Sequence, residues 1–457
     1  MEIEKQLVEF ISRTKYEDLP KEVIDLTKTV ILGIVGATFA GAHSKGCKEL
    51  VEQIKDWGGE EESTILVYGG KVPACNAAMA SSAMARASNL DDATITGLHI
   101  GACSFPTALA MAEFVGVCSG KEFLTSLVVG SEIAARINSQ CVYGGFDPTG
   151  VCGIFTTAAI AGRILGLGLK QMWNALALAF VRGGGSFQAS VDKSLGARII
   201  SGWVCQGGIT CAQLAKKNVD GPQNFLEGIY GYFHFYTQDG FDAQLVVEGL
   251  GERYEISKTL FKQYPSCATT SGCTQAILEL LEEKDITPEE VSEIIVKVTP
   301  RSHRLVGGAF VLGDNPAVSG QYSIQYCVAN ALLRKGSKLH DFDESSVSDP
   351  LIIELIKKVH PIADSTLGSK CSHETDVEVK MKSGAVYHKR IEIPQGYPEN
   401  PLSKEQHLAK FLNCIKYAED SVSKSLLPGN MERIIWEINN LEEMEDVCRL
   451  VPLLLSP

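Results

Sequence analysis

The chain has 457 residues, 45% of them hydrophobic, and a formal net charge of −13. That is ample apolar content for a large core. The acidic balance, with no extended run of Lys or Arg, excludes nucleic acid and an anionic membrane surface as partners, since both need a basic footprint. The fourteen cysteines are scattered, with neither a Cys-x-x-Cys pair nor a Cys/His run at zinc-ligand spacing. Free buried thiols in a reducing compartment fit that pattern. With a charged N-terminus that lacks a signal-like apolar segment, the expectation is a soluble cytoplasmic protein.

From Leu7 to Ala42 apolar residues recur at helical spacing, with a break at Leu19-Pro20 and a restart at Lys21. The apolar run Val30 to Ala42 reads as too short and too glycine-rich to cross a bilayer. Lys45 to Trp57 reads as a short amphipathic helix, Ser63 to Tyr68 as a brief strand closed by Gly69-Gly70, and Ala77 to Ala87 as helix again. From Cys103 to Lys217 the sequence is rich in Ala, Gly, Leu and Ile and poor in charge, which predicts closely packed buried helices. Asp192, Lys193 and Arg198 interrupt it, and charges bracketed by apolar helices either face a cleft or pair. For Lys193 a surface turn reads equally well.

Near residue 260 the pattern changes to strands alternating with helices. Thr287-Pro288-Glu289-Glu290 reads as a helix start. Ile294 to Val298 reads as a strand, Ser319 to Leu333 as one buried helix, and Val377 to Met381 with Val386 to Ile393 as a hairpin. A smaller α+β unit over 265–398 follows from this. Beyond it, Ser403 with Gln406 predicts a capped helix whose apolar stripe is Leu408, Phe411, Leu412 and Ile415. A last helix is expected from about Met431 to Leu450.

The chemistry-bearing stretch is Asn89-Leu90-Asp91-Asp92, followed by His99-Ile100-Gly101-Ala102 and the apolar run from Phe105. Two carboxylates and a histidine seven residues after the second converge on a helix N-terminus, whose N–H groups favour anions. That is a setting for acid–base chemistry on a carboxylated substrate. The plain structural reading is a loop, a cap and a hydrogen-bonded helix-entry histidine.

Together with Phe146-Asp147-Pro148-Thr149-Gly150, Leu226-Glu227-Gly228-Ile229-Tyr230-Gly231-Tyr232-Phe233, Lys262-Gln263-Tyr264-Pro265, Gln321-Tyr322-Ser323 and Gly396-Tyr397-Pro398-Glu399-Asn400-Pro401-Leu402-Ser403, this stretch resembles the MmgE/PrpD family. Its members include 2-methylcitrate dehydratase, cis-aconitate decarboxylase and iminodisuccinate epimerase. The likeness runs to about residue 415. It implies a mainly α fold: a large all-helical domain, 1–264 with 399–457, and a smaller α+β lid domain, 265–398. It also implies a homodimer, a small carboxylate substrate, and an active site between the domains with no metal and no other cofactor.

Carried over position by position, the resemblance makes His99 the principal acid or base and Lys262 a carboxylate anchor or proton donor. Tyr322 supplies a hydroxyl. Arg198 is what remains of a basic pair whose first member is Ala197. The candidate catalytic residues are therefore His99, Lys262, Tyr322 and Asp147, and the candidate substrate-binding residues Asp91, Asp92, Asn89, Arg198, Tyr264 and Ser266. Asn89 stands where the family has aspartate, Ala93 where it has threonine, and Asp147 and Ser271 where it has histidines, so the proton inventory of the site is altered.

Three readings stay open on the sequence. One is a lyase that dehydrates or decarboxylates a small di- or tricarboxylate, with cations stabilising the charge left by proton removal. Another is an epimerase or isomerase working through the same carbanion-like intermediate, with Asp147 or Tyr264 opposite His99. The third is a binding protein without catalysis. Each residue also has a structural reading: Tyr322 as a buried core tyrosine, Lys262 as half of an ion pair, and Asp147 as the turn residue before Pro148.

Overall fold

The computed structural model describes residues 2–94, 97–142, 144–238, 240–422 and 429–456. Its spine is the helix Lys21–Gly41, which starts where Pro20 ends the preceding turn and buries Val23, Ile24, Ile31, Ile34 and Val35. At 21 residues it is longer than the Val30 to Ala42 run suggested, and it is long and apolar enough to cross a membrane. Most of it is instead buried in the protein, against Ala74–Ala87 on one side and Lys404–Val422 on another. Apolar surface on all sides is what an interior helix of a large core requires.

Ile100–Val115 and Gly120–Ser139 also pack on this spine, and Gly153–Ile164, Leu169–Arg182 and Gly196–Lys216 form the layer beyond, against them and Ala74–Ala87. The small residues of this stretch act as anticipated. A Cβ on Gly208 would lie 1.9 Å from Thr157 Oγ1, so only glycine lets Gly196–Lys216 approach Gly153–Ile164 this closely. One continuous core runs from Ile3 to Ile256 and is completed by Phe411, Ile415 and the C-terminal residues through Leu454.

A second core spans Cys273 to Ile391. Its four-stranded sheet has the order Val359–Ala363, Val291–Val298, Thr375–Met381, Val386–Ile391. The first pair is parallel and the other two antiparallel. Thr375, Val377, Val379 and Met381 alternate inward beneath the helices Ser271–Glu283 and Ile324–Arg334. The fold is thus mainly helical, with its principal sheet in the C-terminal part.

Several elements depart from their sequence-based limits. The strand expected over Ser63 to Tyr68 is only Ser63–Thr64, paired with Lys71–Val72, because the chain turns immediately after it and Val67 takes φ 65°. Thr287-Pro288 opens a single 3-10 turn, Pro288–Glu290, before the strand begins. The helix expected from Ser319 to Leu333 is two, Pro316–Gln321 and Ile324–Arg334. Tyr322 lies between them, and Ser323 Oγ caps the second by accepting the Tyr326 N–H. Ser403 and Gln406 do form a reciprocal capping box, N–H to Oε1 2.8 Å and N–H to Oγ 3.2 Å. The stripe that this helix buries is Phe411, Cys414, Ile415 and Ala418, while Leu408 and Leu412 face outward. The terminal helix stops at Asn439, and 3-10 turns over Leu441–Glu443 and Val447–Leu454 carry the chain back onto the core.

Candidate active site

The strand Asp92–Thr94 pairs antiparallel with Thr259–Phe261, Asp92 opposite Phe261. The next position on each strand brings Asp91 to Lys262, two residues 171 apart in sequence. Lys262 Nζ donates to Asp91 Oδ1 at 2.9 Å and to Asn89 Oδ1 at 2.8 Å. Asn89 sits at φ 56°, a left-handed conformation that asparagine tolerates better than most residues.

Two devices hold Lys262 in register. Upstream, buried Glu132 accepts the Glu255 and Ile256 N–H groups, and its partner Arg136 donates to the carbonyls of Val246, Glu248 and Gly249. Downstream, the Gly396 carbonyl accepts the Phe261 N–H at 2.8 Å. Gly396 has φ 97°, and a Cβ there would lie 2.0 Å from the Phe261 carbonyl oxygen, so the position requires glycine.

Arg86, near the end of Ala74–Ala87, completes the cluster. Its Nη1 reaches Asn89 Oδ1 at 3.2 Å and Asp91 Oδ1 at 3.3 Å, and its Nη2 lies 3.5 Å from the Tyr322 hydroxyl. His99 Nδ1 lies 2.8 Å from Asp91 Oδ2 and 3.0 Å from the Asp92 carbonyl oxygen. The carbonyl is the aligned acceptor and the carboxylate acts electrostatically, since Asp91 Oδ2 has no aligned donor. Both neighbours accept and neither donates, so Nδ1 holds a hydrogen and Nε2 becomes the proton-exchanging nitrogen.

Burial pushes the Asp91 carboxyl up, but Arg86, Lys262 and His99 together outweigh it and hold it well below the usual carboxylate range. Burial pushes His99 down and Arg86 adds to this against the opposing pull of Asp91, so the imidazole rests neutral at pH 7. Arg86, Lys262, Asp91 and neutral His99 then sum to +1 where they touch. With an aspartate at position 89 the sum would be zero. Beyond these contacts the nearest compensation for Arg86 is the charge of buried Asp147, and an incoming anion that touches Arg86 and Lys262 directly is favoured there.

The remaining sequence candidates are placed differently. Asp147 Oδ1 accepts the Thr149 N–H at 2.8 Å, capping Pro148–Val151, and Thr149 Oγ1 accepts the His99 N–H at 3.2 Å. Asp147 is therefore one residue removed from His99, and its charge is felt by Arg86. Adjacent strand residues face opposite ways, so the Asp92 side chain leaves the cluster and accepts the Gly101 N–H at 3.1 Å. Arg198 lines a separate cavity of about 350 Å³ and donates to the Lys45 carbonyl at 2.7 Å. Tyr264 lines a cavity beside Lys404–Val422, and Ser266 pairs with the Thr270 hydroxyl at 2.8 Å. Arg198, Tyr264 and Ser266 thus stand apart from the group around His99.

Two further residues join the site. Tyr322 lines an open cavity of about 560 Å³ together with Lys193 and Arg304. Lys193, at φ 58°, donates to the Tyr322 carbonyl at 2.9 Å and lies 5.6 Å from its ring centroid. Lys193 does lie in a turn, half-buried, and this tie turns its side chain toward Tyr322. The cavity therefore meets the buried cluster at Tyr322, with Lys193 and Arg304 balanced by Asp192 and Asp314 along its wall. Among the described residues, no three His, Cys, Asp or Glu side chains gather in a way that could hold a metal ion.

Residues 5–244 match the MmgE/PrpD N-terminal domain and 264–426 the MmgE/PrpD C-terminal domain. The chain is similar to a cis-aconitate decarboxylase of Aspergillus terreus, 23% identical with 99% of this chain and 96% of the relative aligned. It is likewise similar to cis-aconitate decarboxylases of Homo sapiens, 25% identical over 97% and 92%, and Mus musculus, 23% identical over 97% and 91%.

Proposed function

The chain belongs to the MmgE/PrpD family, and from that premise we propose that it is a carbon–carbon lyase, removing CO2 from a small tricarboxylate of the cis-aconitate type with His99 as proton carrier. The observation that carries this reading is the oriented neutral imidazole beside two buried cations, Arg86 and Lys262, that share one carboxylate. A trianionic substrate supplies further negative charge. Its carboxylates pair with Arg86 and Lys262, the former bidentate by virtue of its planar fork, and the open cavity that Tyr322 lines gives it a path, with Lys193 beside that tyrosine.

In cis-aconitate a carboxymethyl arm adjoins the double bond. The bond from that arm to its carboxyl breaks, and the released pair forms a new double bond. The pair of the old double bond takes a proton at its far carbon, and CO2 leaves. His99 Nε2 delivers that proton, so His99 must first be charged. Substrate carboxylates beside Arg86 and Lys262 cancel the repulsion that adds to burial in keeping the imidazole neutral, and Asp91 then stabilises the imidazolium. The Tyr322 hydroxyl and Arg86 hold the carboxylate over which charge spreads during bond breaking.

Dehydration needs the same groups, and the names of the relatives favour decarboxylation. Epimerisation needs a second proton carrier across the substrate, and Asp147 commits Oδ1 to Thr149. The test is a panel of cis-aconitate, citrate, 2-methylcitrate and iminodisuccinate, followed for CO2 and by proton NMR. CO2 from cis-aconitate alone supports the reading. Water loss from 2-methylcitrate, or a product of unchanged mass, replaces it with a dehydratase or an epimerase.

The family reading also carries a homodimer. Ile229, Tyr230 and Phe235 are 83%, 71% and 57% exposed beside Gly228 and Gly231, an apolar face of the kind that subunits cover. Sedimentation at micromolar concentration tests it, and a single species of 49.4 kDa would refute it.

A further inference from the structure

We propose that the cavity between the helix Lys404–Val422 and the loops carrying Tyr264 and Ser337 binds a small polyanion, a polycarboxylate or a diphosphate, and that its occupant acts on Lys262 through Lys410. The cavity holds about 530 Å³, within the range of small-molecule sites. Lys410 and Lys416 enter it from one face of the helix and Lys338 from the opposite wall.

None of these three lysines forms an ion pair within the described residues. Asp420, the acidic residue of the lining, is engaged by His340 Nε2 at 3.3 Å. On a protein of net charge −13, three ammonium groups without an ion-pair partner among the described residues, converging on one cavity from two walls, focus a local positive field. Gln263 Oε1 and Ser337 Oγ are buried there without a hydrogen-bond partner, and a buried polar atom without a partner is uncommon unless something else completes it.

The route to the catalytic cluster is short. Lys410 Nζ donates to the Lys262 carbonyl oxygen at 3.0 Å, and Leu90, which also lines the cavity, lies between Asn89 and Asp91. An anion that draws on Lys410 therefore pulls on the backbone of the residue whose Nζ holds Asp91. This inference does not depend on which reaction the protein performs.

The test is isothermal titration of the full chain with citrate and, separately, pyrophosphate at low ionic strength, repeated on Lys338→Glu/Lys416→Glu. Both substituted positions are exposed, and circular dichroism checks that the fold is kept. For at least one probe a binding event weakened about tenfold or more in the double variant is expected, beside any that citrate makes at Arg86 and Lys262, which the double variant leaves unchanged. Citrate alone identifies polycarboxylates, pyrophosphate alone identifies diphosphates, and both together support the shared chemistry. No binding of either probe, or equal affinity in the double variant, overturns the site. Hydrogen exchange then tests the coupling: the bound probe should slow the amides of 89–92 and 260–264, and unchanged exchange there overturns it.

Discussion

Replacing Asp92 by Asn should stabilise the protein at neutral pH and lose that advantage in mild acid. Asp92 is 3% exposed, with Oδ2 accepting the Gly101 N–H and Oδ1 without a partner. Burial raises its carboxyl from 3.8 to about 6, the neighbouring charge of Asp91 adds to this, and the Gly101 N–H opposes it. A carboxyl raised on folding favours the folded state fully below its unfolded value, and that contribution is lost as pH climbs from about 4 through about 6. About two pKa units at 1.36 kcal/mol each set a ceiling of about 3 kcal/mol. The amide cannot ionise, keeps an acceptor for Gly101, and puts its NH2 where an oxygen already lacked a partner. Asp92→Asn should therefore gain up to about 3 kcal/mol above pH 7, shrinking to nothing near pH 4. Urea midpoints followed by the fluorescence of the four tryptophans, at half-unit steps from pH 4 to 8, measure it. A difference independent of pH, or a wild-type protein at least as stable at pH 7.5, would refute the reasoning.

Asp91→Asn should do the reverse, costing about 3–5 kcal/mol at pH 7 by leaving buried Arg86 and Lys262 without their counter-charge, seen as a lower melting temperature by calorimetry. Its wild-type contribution is present above the unfolded pKa near 4 and is lost only as pH falls below the usual carboxylate range, so the two aspartates should give pH profiles of opposite slope. Tyr322→Phe removes only the hydroxyl 3.5 Å from Arg86; turnover should fall about tenfold or more with no change in melting temperature, and unaltered kinetics would place the hydroxyl outside the chemistry. Gly396→Ala drives a Cβ into the Phe261 carbonyl, so it should lower both melting temperature and turnover by displacing Lys262. A variant as active as wild type would break the link from this loop to the site.

How legible the site was depended on how local its parts are. Asp91 and His99 lie on either side of one short strand, so their spacing put them together, though with Asp92, which turns away to Gly101, and the family resemblance supplied Asn89 and, from across the ladder, Lys262. Arg86 escaped notice although a signal existed. It is the one charged residue in Ala74–Ala87, and a lone arginine on a buried small-residue helix needs a partner. Lys410 gave no such signal, because its helix carries charges along its length.

Arg198 shows the limit of motif matching, which fixes a position on a helix but not which side of the packed helix a long side chain takes. It turns to the Lys45 carbonyl instead of joining His99. Tyr322 sat inside a stretch whose pattern fits one buried helix, and Ser323 as an N-cap was the hint that the helix breaks there. The stripe on Lys404–Val422 was read through Leu408 and Leu412, and packing selected Phe411, Cys414, Ile415 and Ala418, the face opposite Gly36. In each case a tertiary contact decided between patterns that periodicity leaves nearly equal.

The central claim is that His99 carries the proton. Its most direct measurement is incubation with cis-aconitate in D2O, followed by NMR, for wild type and His99→Ala. Wild type should release CO2 and place one deuterium on the carbon at the far end of the former double bond, and His99→Ala should do so 10²–10⁴-fold more slowly. Deuterated product formed at the wild-type rate by His99→Ala would contradict it.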